Sequence, residues 1–298
     1  MKRLLTPDGL FIYDRENGGC FIYPDMKSEK WEAPLFAQIA LTDKCNLKCW
    51  FCYSMSSPDR TLEWDFDELK QLLMFLDKWG VFGVSFGGGE PFLYTRLVEA
   101  AEFIKKSTRL DATLTTNGTV ATEEQLRQIE GLISEVRVSI RTAKSIENLS
   151  MYVNREFDVG VNVILYHDGV EFIRQVIENS LKLGVNDFLI NSFRPVGRGA
   201  NQKNYEPTLS DYRNLAALIK HYRDKATFKT SCRLASYLKR YKIRFMPFVD
   251  EKPGRILAIS VDKKVRLSSL SSMAYPFERI DEIPRKYFQL TVDGVSAW

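Results

Sequence analysis

Histidine is scarce in this chain of 298 residues, which contains only His167 and His221. Zinc sites and histidine-centred nucleophilic triads both depend on imidazole, so both are poorly supplied. Apolar runs of about 20 residues, the length that crosses a bilayer, are also missing. The charge surplus is small, because 42 Lys and Arg stand against 38 Asp and Glu, for a net charge of +4. This balance argues against nucleic acid and membrane surfaces as partners.

The N-terminus lacks the pattern of a secretion signal. It starts with basic residues, but Pro7 and Gly9 interrupt it before an apolar segment develops. We therefore expect a cytoplasmic protein, in a compartment where thiols stay reduced. Of the five cysteines, three fall within eight residues, at Cys45, Cys49 and Cys52. In a reducing compartment this crowding indicates metal ligation and not disulfides.

The spacing of apolar residues divides the chain into three parts. Residues 1–34 contain a predicted β-hairpin, with strands at 10–13 and 20–23. In residues 35–226, short apolar strands alternate with amphipathic helices such as 66–79, which is typical of βα units around a parallel sheet. The predicted strands lie at 36–41, 81–86, 111–115, 135–140, 159–165 and 187–191.

Six βα units are too few for the usual eightfold barrel of about 250 residues, so we expect an α/β fold with a partial (β/α)6 barrel. The catalytic chemistry of such a fold collects at the C-terminal ends of the strands. After about residue 227 the pattern changes to short strands, predicted at 244–249, 255–261 and 265–270. Residues 227–298 are therefore expected to form a small α+β appendage.

The cysteine segment directly follows the first strand of the predicted barrel. Thiolates spaced as Cys45, Cys49 and Cys52 can converge on one face of an iron–sulfur cube. Cys20 and Cys232 are distant in sequence, so one iron is expected to stay open to an exogenous ligand. The alternative is a partial zinc knuckle or plain buried thiols. Zinc is the weaker reading, because no histidine or fourth cysteine lies nearby to complete its ligand set.

The spacing C-x3-C-x2-C, with the aromatic Phe51 before the last cysteine, resembles the hallmark of radical S-adenosylmethionine (SAM) enzymes. The resemblance implies one [4Fe–4S] cluster held by Cys45, Cys49 and Cys52, with SAM bound at the open iron. The reduced cluster of such enzymes cleaves SAM to a 5′-deoxyadenosyl radical, which abstracts hydrogen from the substrate. An electron donor such as flavodoxin or ferredoxin is implied as a partner.

Further strand ends resemble the SAM-binding segments of the same family. Residues 88–91 resemble its GGEP segment, in which glycines permit close backbone approach and Glu90 could accept from the SAM ammonium group. Residues 115–118, 138–141 and 161–163 resemble its TNG, serine and VNxV positions. Together these resemblances imply SAM contacts by Phe51, Gly88, Gly89, Glu90, Pro91, Asn117, Ser139 and Asn162.

The catalytic residue stays unassigned, with four candidates. Relatives read Ser-Leu-Asp at the fourth strand, but this chain has Arg141 in place of the aspartate, so no role that rests on the acid carries over. Arg141 could face a carboxylate or be a solvated rim residue. Tyr166, His167 and Asp168 follow the fifth strand, where they could position substrate or relay a proton, or form a surface loop without a role.

The VNxV segment and the P-x-GRG segment at 195–199 favour the branch with peptide maturases, sulfatase-maturing enzymes and sugar-modifying enzymes. Many of these end in a SPASM or twitch domain with auxiliary clusters. Here Cys232 is the only cysteine after Cys52, so we expect a vestigial appendage without clusters, or else an unrelated small β element.

The favoured substrate is a ribosomally synthesised peptide, which the edge of the N-terminal hairpin could accept as an added strand. A sugar or aminoglycoside undergoing oxidation, deoxygenation or epimerisation is the rival substrate. The third alternative is a non-catalytic iron–sulfur or zinc protein.

Overall fold

A three-stranded antiparallel sheet opens the chain in the computed structural model, which describes residues 1–14, 20–28, 32–243 and 255–293. Its strands are β1 (Lys2–Thr6), β2 (Gly9–Tyr13) and β3 (Cys20–Tyr23), in the order β1-β2-β3. The predicted hairpin of β2 and β3 is confirmed. Strand β1 was missed, because the polar side chains of Lys2 and Thr6 face inward beside Leu4 and mask the alternation.

The N-terminal sheet packs against the barrel through a small apolar core. Leu4, Phe11 and Tyr13 are buried in a cluster that includes Phe82. The Tyr13 ring stacks on Phe82 with 5.5 Å between centroids, and its hydroxyl donates to Oδ2 of Asp111 at 2.6 Å. Because Phe82 and Asp111 lie where two barrel strands begin, this sheet covers the N-terminal ends of those strands.

The six predicted barrel strands are confirmed as parallel neighbours in sequence order. They are β4 (Phe36–Thr42), β5 (Gly83–Gly88), β6 (Asp111–Thr116), β7 (Glu135–Ser139), β8 (Asp158–Leu165) and β9 (Asp187–Ser192). The helices between and after them are α1 (Phe66–Trp79), α2 (Leu97–Ser107), α3 (Glu123–Ile129), α4 (Ala143–Asn148), α5 (Val170–Lys182) and α6 (Leu209–Tyr222).

Two more parallel strands extend this sheet beyond the predicted six. Strand β10 (Thr227–Thr230) pairs with β9, and β11 (Ile256–Ser260) pairs with β4 on the opposite side. Strands β12 (Lys264–Arg266) and β13 (Tyr275–Pro276) continue antiparallel from β11. The sheet runs from β10 to β13 without closing, so the expectation of a partial, open barrel is confirmed.

The C-terminal strands join the barrel sheet directly. Helices α7 (Cys232–Lys239) and α8 (Ile283–Asp293) accompany them. The strand predicted at 244–249 lies outside the described residues, and the boundary proposed near residue 227 stays a prediction. Strand β11 was correctly located, but its pairing with β4 was not predicted.

Helix α1 shows how the apolar pattern builds the main core. The Asp65 side chain accepts from the backbone N–H groups of Asp67 and Glu68 and thereby caps the N-terminus. Its buried face consists of Leu69, Leu72, Leu73 and Leu76. This face lies in a core cluster that also contains buried apolar residues of β4 and β5. Within the described ranges, no helix combines the length and apolarity that a membrane span requires.

Candidate iron–sulfur and SAM site

A cavity of about 2340 Å³ runs along the inside of the open barrel. One part of its wall is formed by the cysteine loop and the C-terminal ends of the strands. Phe11, Tyr13 and Ile22 of the N-terminal sheet line another part of the same cavity. The predicted site residues on this wall are Cys45, Cys49, Phe51, Cys52, Gly88, Gly89, Asn117, Ser139, Arg141 and Asn162. Ten residues that were predicted from the sequence, at or after five successive strands, therefore line one cavity.

Arg198, which follows strand β9, holds the cysteine loop in place through three hydrogen bonds. Its Nη1 donates to the carbonyl of Cys49 at 2.7 Å, and its Nη2 donates to the carbonyl of Ser56 at 2.8 Å. Its backbone N–H donates to the carbonyl of Cys52 at 2.9 Å. Gly197 adopts a φ of +55°, and a Cβ there would lie 2.6 Å from the same Cys52 oxygen. The resemblance of 195–199 to a GRG segment thus has a physical basis, which is the support of this loop.

Each of the three thiols has a hydrogen-bonding group beside its sulfur. Cys45 Sγ lies 3.4 Å from the N–H of Leu47 and 3.7 Å from Nδ2 of Asn117. Two further contacts are Cys49 Sγ to Arg141 Nη1 at 3.4 Å and Cys52 Sγ to Ser54 Oγ at 3.3 Å. Donors to sulfur are what metal-bound thiolates receive in iron–sulfur proteins. The residues present therefore fit a thiolate-held cluster.

The spacing of the sulfur atoms argues against a single zinc ion. In a tetrahedral zinc site with Zn–S of about 2.3 Å, ligand sulfurs lie only about 4 Å apart. Among the described residues, the one set of three candidate ligand atoms that all lie within 4.8 Å of one another is His167, Asp168 and Asp211. The three cysteines do not form such a set, so their sulfurs do not all lie within 4.8 Å of one another. The side chains of Cys20 and Cys232 lie outside the described part of the chain.

Burial raises the pKa of the Cys45 thiol, although the N–H of Leu47, the amide of Asn117 and the charge of Arg141 lower it. The charge of Glu90 adds to the raised pKa. A thiol in this state stays protonated near neutral pH until a metal displaces the proton. Cluster assembly is therefore expected to release a proton from this position.

The glycines of the GGEP segment bring β5 against the cysteine loop. The Gly89 N–H donates to the Thr42 carbonyl at 2.7 Å, and the next N–H donates to the Lys44 carbonyl at 2.9 Å. A Cβ on Gly89 would lie 2.0 Å from the Lys44 oxygen. Gly88 has a φ of +108°, and a Cβ there would lie 2.6 Å from the Thr42 oxygen. Glycine is required at both positions because the backbone after β5 contacts the backbone of residues 42–44. This requirement is independent of any contact that Gly88 and Gly89 make with SAM.

Glu90 is completely buried and bonds to protein groups. Its carboxylate accepts from Thr116 Oγ1 and the Asn117 N–H, both at 2.7 Å, and from the Phe92 N–H at 3.3 Å. Burial raises its pKa, and these hydrogen bonds lower it. Glu90 and Pro91 are not among the residues on the cavity wall. The structure thus gives Glu90 the role of joining the GGEP and TNG segments, and its contact with the SAM ammonium group stays a prediction.

Asn162 and Ser139 lie side by side on neighbouring strands, where they form a registered pair. The Oδ1 atom of Asn162 accepts from Nε of Arg137 at 2.8 Å. This bond orients the amide, so that its NH₂ group is directed away from Arg137. Gly160 makes room for the arginine, because a Cβ there would lie 2.5 Å from Nη1 of Arg137.

Arg137 belongs to a charge network inside the barrel that sequence reasoning missed. Its guanidinium pairs with Glu135 and lies 2.8 Å from Oδ1 of Asp187, whose other oxygen lies 2.6 Å from Nζ of Lys229. The flanking Val136 and Val138 allowed the strand to be predicted, but they did not indicate that the Arg137 side chain points into the barrel. Gly160, a glycine in the middle of β8, was the available signal, since such glycines often mark close approach.

Replacing Arg137 with methionine is expected to lower the free energy of unfolding by roughly 3 kcal/mol, because it leaves the partly buried Glu135 carboxylate without this partner and Asp187 with Lys229 alone. Arg127→Met is the matched control, because Arg127 pairs with Glu124 on the surface, where such pairs contribute about 0–1 kcal/mol. Urea unfolding of both variants measures the difference. Equal losses would show that the Arg137 network adds nothing beyond a surface pair.

Of the four catalytic candidates, only Arg141 lines the cavity. Nδ1 of His167 lies 3.1 Å from Oδ2 of Asp211, which also accepts from the N–H and hydroxyl of Thr208 at the start of α6. The N–H of Asp168 donates to the other Asp211 oxygen at 3.0 Å. Tyr166 packs edge-on against Trp50, with 6.3 Å between centroids. These three residues therefore stabilise the outer loops in this structure.

Comparison with known proteins identifies a family across the barrel. Residues 39–212 match the radical SAM superfamily. A probable GTP 3′,8-cyclase from Methanococcus maripaludis is 28% identical over 184 residues, which are 61% of this chain and 56% of that protein. A GTP 3′,8-cyclase from Aquifex aeolicus is 32% identical over 176 residues, covering 56% and 52%. The chain thus spans about half the length of the curated relatives it matches.

Solved structures resemble the chain over nearly its whole length. Streptococcus suis SuiB bound to S-adenosylmethionine has a TM-score of 0.73 at 13% identity, covering 97% of this chain and 88% of that one. SuiB bound to the precursor peptide SuiA has a TM-score of 0.74 at 15% identity, covering 100% and 89%. The protein anSMEcpe with AdoMet and Cp18Cys peptide has a TM-score of 0.65 at 13% identity, covering 86% and 80%. At these identities the likeness shows a shared fold, and the SPASM/twitch branch stays a prediction.

Proposed function

The chain belongs to the radical SAM superfamily and uses a [4Fe–4S] cluster and S-adenosylmethionine, and on this premise we propose that it modifies a ribosomally synthesised peptide. Cys45, Cys49 and Cys52 are the proposed cluster ligands. When bound, the cluster and SAM supply a 5′-deoxyadenosyl radical that abstracts hydrogen from a C–H bond.

The chain's own residues bind and orient these groups. Arg198 fixes the carbonyl of Cys49, and Gly89 fixes the strand end against the same loop. Ser139 and Asn162 present polar side chains to the cavity, where we propose that they contact SAM.

The observation that carries the peptide assignment is the edge strand β3. Phe21, Ile22 and Tyr23 are 57%, 48% and 51% exposed, which is unusual for three successive large apolar residues. In the described residues β3 pairs only with β2, so its outer edge offers backbone hydrogen bonds to another strand. Ile22 also lines the cavity that the cysteines share. An extended peptide added to β3 would therefore lie where the barrel strands begin, and the segment to be modified would extend through the cavity toward the cysteine loop.

The names of the similar proteins support two substrate classes. SuiB was crystallised with the precursor peptide SuiA, and anSMEcpe with the Cp18Cys peptide. The curated sequence relatives are named GTP 3′,8-cyclase, which makes GTP the second candidate. We favour the peptide because the exposed apolar strand suits a peptide and has no evident use for a nucleotide. A sugar substrate and a non-catalytic protein are the remaining alternatives, and the next experiment tests the second of them.

The direct test is anaerobic reconstitution of the full chain with iron and sulfide, followed by dithionite, SAM and one candidate substrate. The probes are synthetic peptides encoded by short reading frames beside the gene, and GTP. We expect a peptide to increase 5′-deoxyadenosine formation and to return with an altered mass. Stimulation and conversion of GTP instead would overturn the peptide assignment. Absence of 5′-deoxyadenosine under all conditions would favour a non-catalytic protein.

Replacing Phe21 with aspartate is expected to raise the KM for the peptide about tenfold, which corresponds to about 1.4 kcal/mol. The change puts a charge on the outer face of β3 and removes apolar contact area. Met74→Asp is the matched control, because Met74 is 56% exposed on α1 and has no place in the proposed docking surface. Thermal melting of both variants checks the fold. Equal KM values for the two variants would contradict docking at β3.

Point substitutions in β3 test docking more cleanly than removal of residues 1–34. The N-terminal sheet covers Phe82, and Tyr13 donates to Asp111 of the barrel. Its loss would expose that apolar surface and leave the carboxylate without this donor. A truncated chain could then lose activity through instability alone.

A further inference from the structure

Arg141 places its guanidinium beside one of the three thiols. Its Nη1 lies 3.4 Å from Cys49 Sγ, and its Cζ lies 5.5 Å from the centroid of the Phe51 ring. Both contacts are to the loop that carries the cysteines. Its Nε is buried and has no hydrogen-bond partner among the described residues. The side chain is therefore held mainly by the sulfur and the ring beside it.

The positive charge of Arg141 lowers the pKa of the buried Glu90 carboxyl, but the two groups do not form an ion pair. In the part of the chain that the structure describes, no aspartate or glutamate forms an ion pair with this guanidinium. Arg137 is the contrast inside the same barrel, since it pairs with both Glu135 and Asp187. A guanidinium that is not held in an ion pair and lies against a thiol stabilises negative charge on that sulfur.

Hydrogen bonds to cluster sulfurs and nearby charge are two of the main determinants of cluster potential.

We propose that Arg141 raises the reduction potential of the cluster by donating a charge-assisted hydrogen bond to the Cys49 thiolate. This inference rests on the proposed cluster ligands. Reduction adds one electron, supplied by an external donor of the flavodoxin or ferredoxin class, to a centre held by three anionic sulfurs. A cation that bonds one of these sulfurs stabilises the more negative, reduced state more than the oxidised state. The cluster is then reduced by a weaker reductant than an uncharged residue at this position would permit.

The test is a potentiometric titration of the reconstituted full chain without SAM, with the EPR signal of the reduced cluster as the readout. The variants are R141K, R141Q, R141M and R141D, and iron and sulfide are counted in each. We expect the midpoint potential to fall in the order wild type, R141K, R141M, R141D. The ratio of reduced to oxidised cluster at a fixed potential should fall at least tenfold from wild type to R141M, which is about 59 mV for one electron.

Arg60→Met is the matched control. Arg60 also lines the cavity and its removal deletes the same charge, but it has no contact with a cysteine sulfur among the described residues. We expect the midpoint of this variant to equal that of the wild type. A midpoint in R141M equal to the wild type would overturn the proposal, as would an equal shift in Arg60→Met.

The outcomes also separate this inference from the proposed function. If the midpoint is unchanged in R141M but SAM affinity falls, Arg141 is a SAM ligand and the tuning role is wrong. If R141M or R141D loses its iron, the midpoint potentials of R141K and R141Q are compared with the wild type instead. Identical midpoint potentials for R141Q and the wild type would reject the proposed effect of Arg141 on the cluster. Failure of the wild type to form 5′-deoxyadenosine would refute the enzyme assignment while leaving the potentials measurable.

Discussion

Cys45→Ala, Cys49→Ala and Cys52→Ala are each expected to abolish 5′-deoxyadenosine formation, with a loss of more than about a hundredfold. Removal of an outer-shell partner already lowers metal affinity or activity by about 10- to 100-fold, and loss of a ligand is more severe. The physical reason is that two thiolates cannot hold three irons of a cube. Iron and sulfide per chain, together with the product assay, measure the effect.

Cys20→Ala and Cys232→Ala are the matched controls for these variants. They remove the same thiol from the only other cysteines in the sequence. We expect both to retain iron, sulfide and SAM cleavage at the wild-type level. Iron loss in either control, with iron retained in a triad variant, would disprove the ligand assignment. Stoichiometric zinc in the wild type after purification in zinc-free buffer would argue for the zinc alternative.

Most of the barrel could be predicted because each inner strand is an apolar run between turn residues. Strand β8 (Asp158–Leu165), for example, carries Val161, Val163 and Leu165 toward the core. Strand β10 (Thr227–Thr230) was missed because it is short and at the edge of the sheet, with only its last residue buried. Strand β11 was located but not placed, since pairing with β4 joins segments about 220 residues apart.

The site could be predicted where its chemistry is local in sequence. The three cysteines fall within eight residues, and their spacing alone located the loop. The support of that loop was hidden, because Arg198 and Cys49 are 149 residues apart along the chain. The direction of the Glu90 side chain could not be predicted either. The motif locates a carboxylate but does not indicate whether it faces the cavity or Thr116.

Gly89→Ala is expected to lower the free energy of unfolding by about 3 kcal/mol and to prevent stable retention of the cluster. The added Cβ would lie 2.0 Å from the carbonyl oxygen of Lys44 and 2.7 Å from its carbon. Backbone atoms cannot rotate away as a side chain can, so β5 and the cysteine loop must separate. Separation breaks the hydrogen bond from Gly89 to Thr42 and moves Cys45, which follows Lys44 directly. Urea unfolding and the iron content after desalting measure the two effects.

Gly87→Ala distinguishes backbone contact from a general intolerance of β5 to side chains. Gly87 lies two residues earlier, inside β5, and lines the same cavity, but a Cβ there meets nothing within 4 Å. We expect its stability and iron content to stay close to the wild type. If both variants lose iron equally, the cavity wall near SAM tolerates no side chain, and the contact between Gly89 and Lys44 is not the cause. If only Gly89→Ala loses iron, the GGEP glycines act first by holding the cysteine loop, before any contact with SAM.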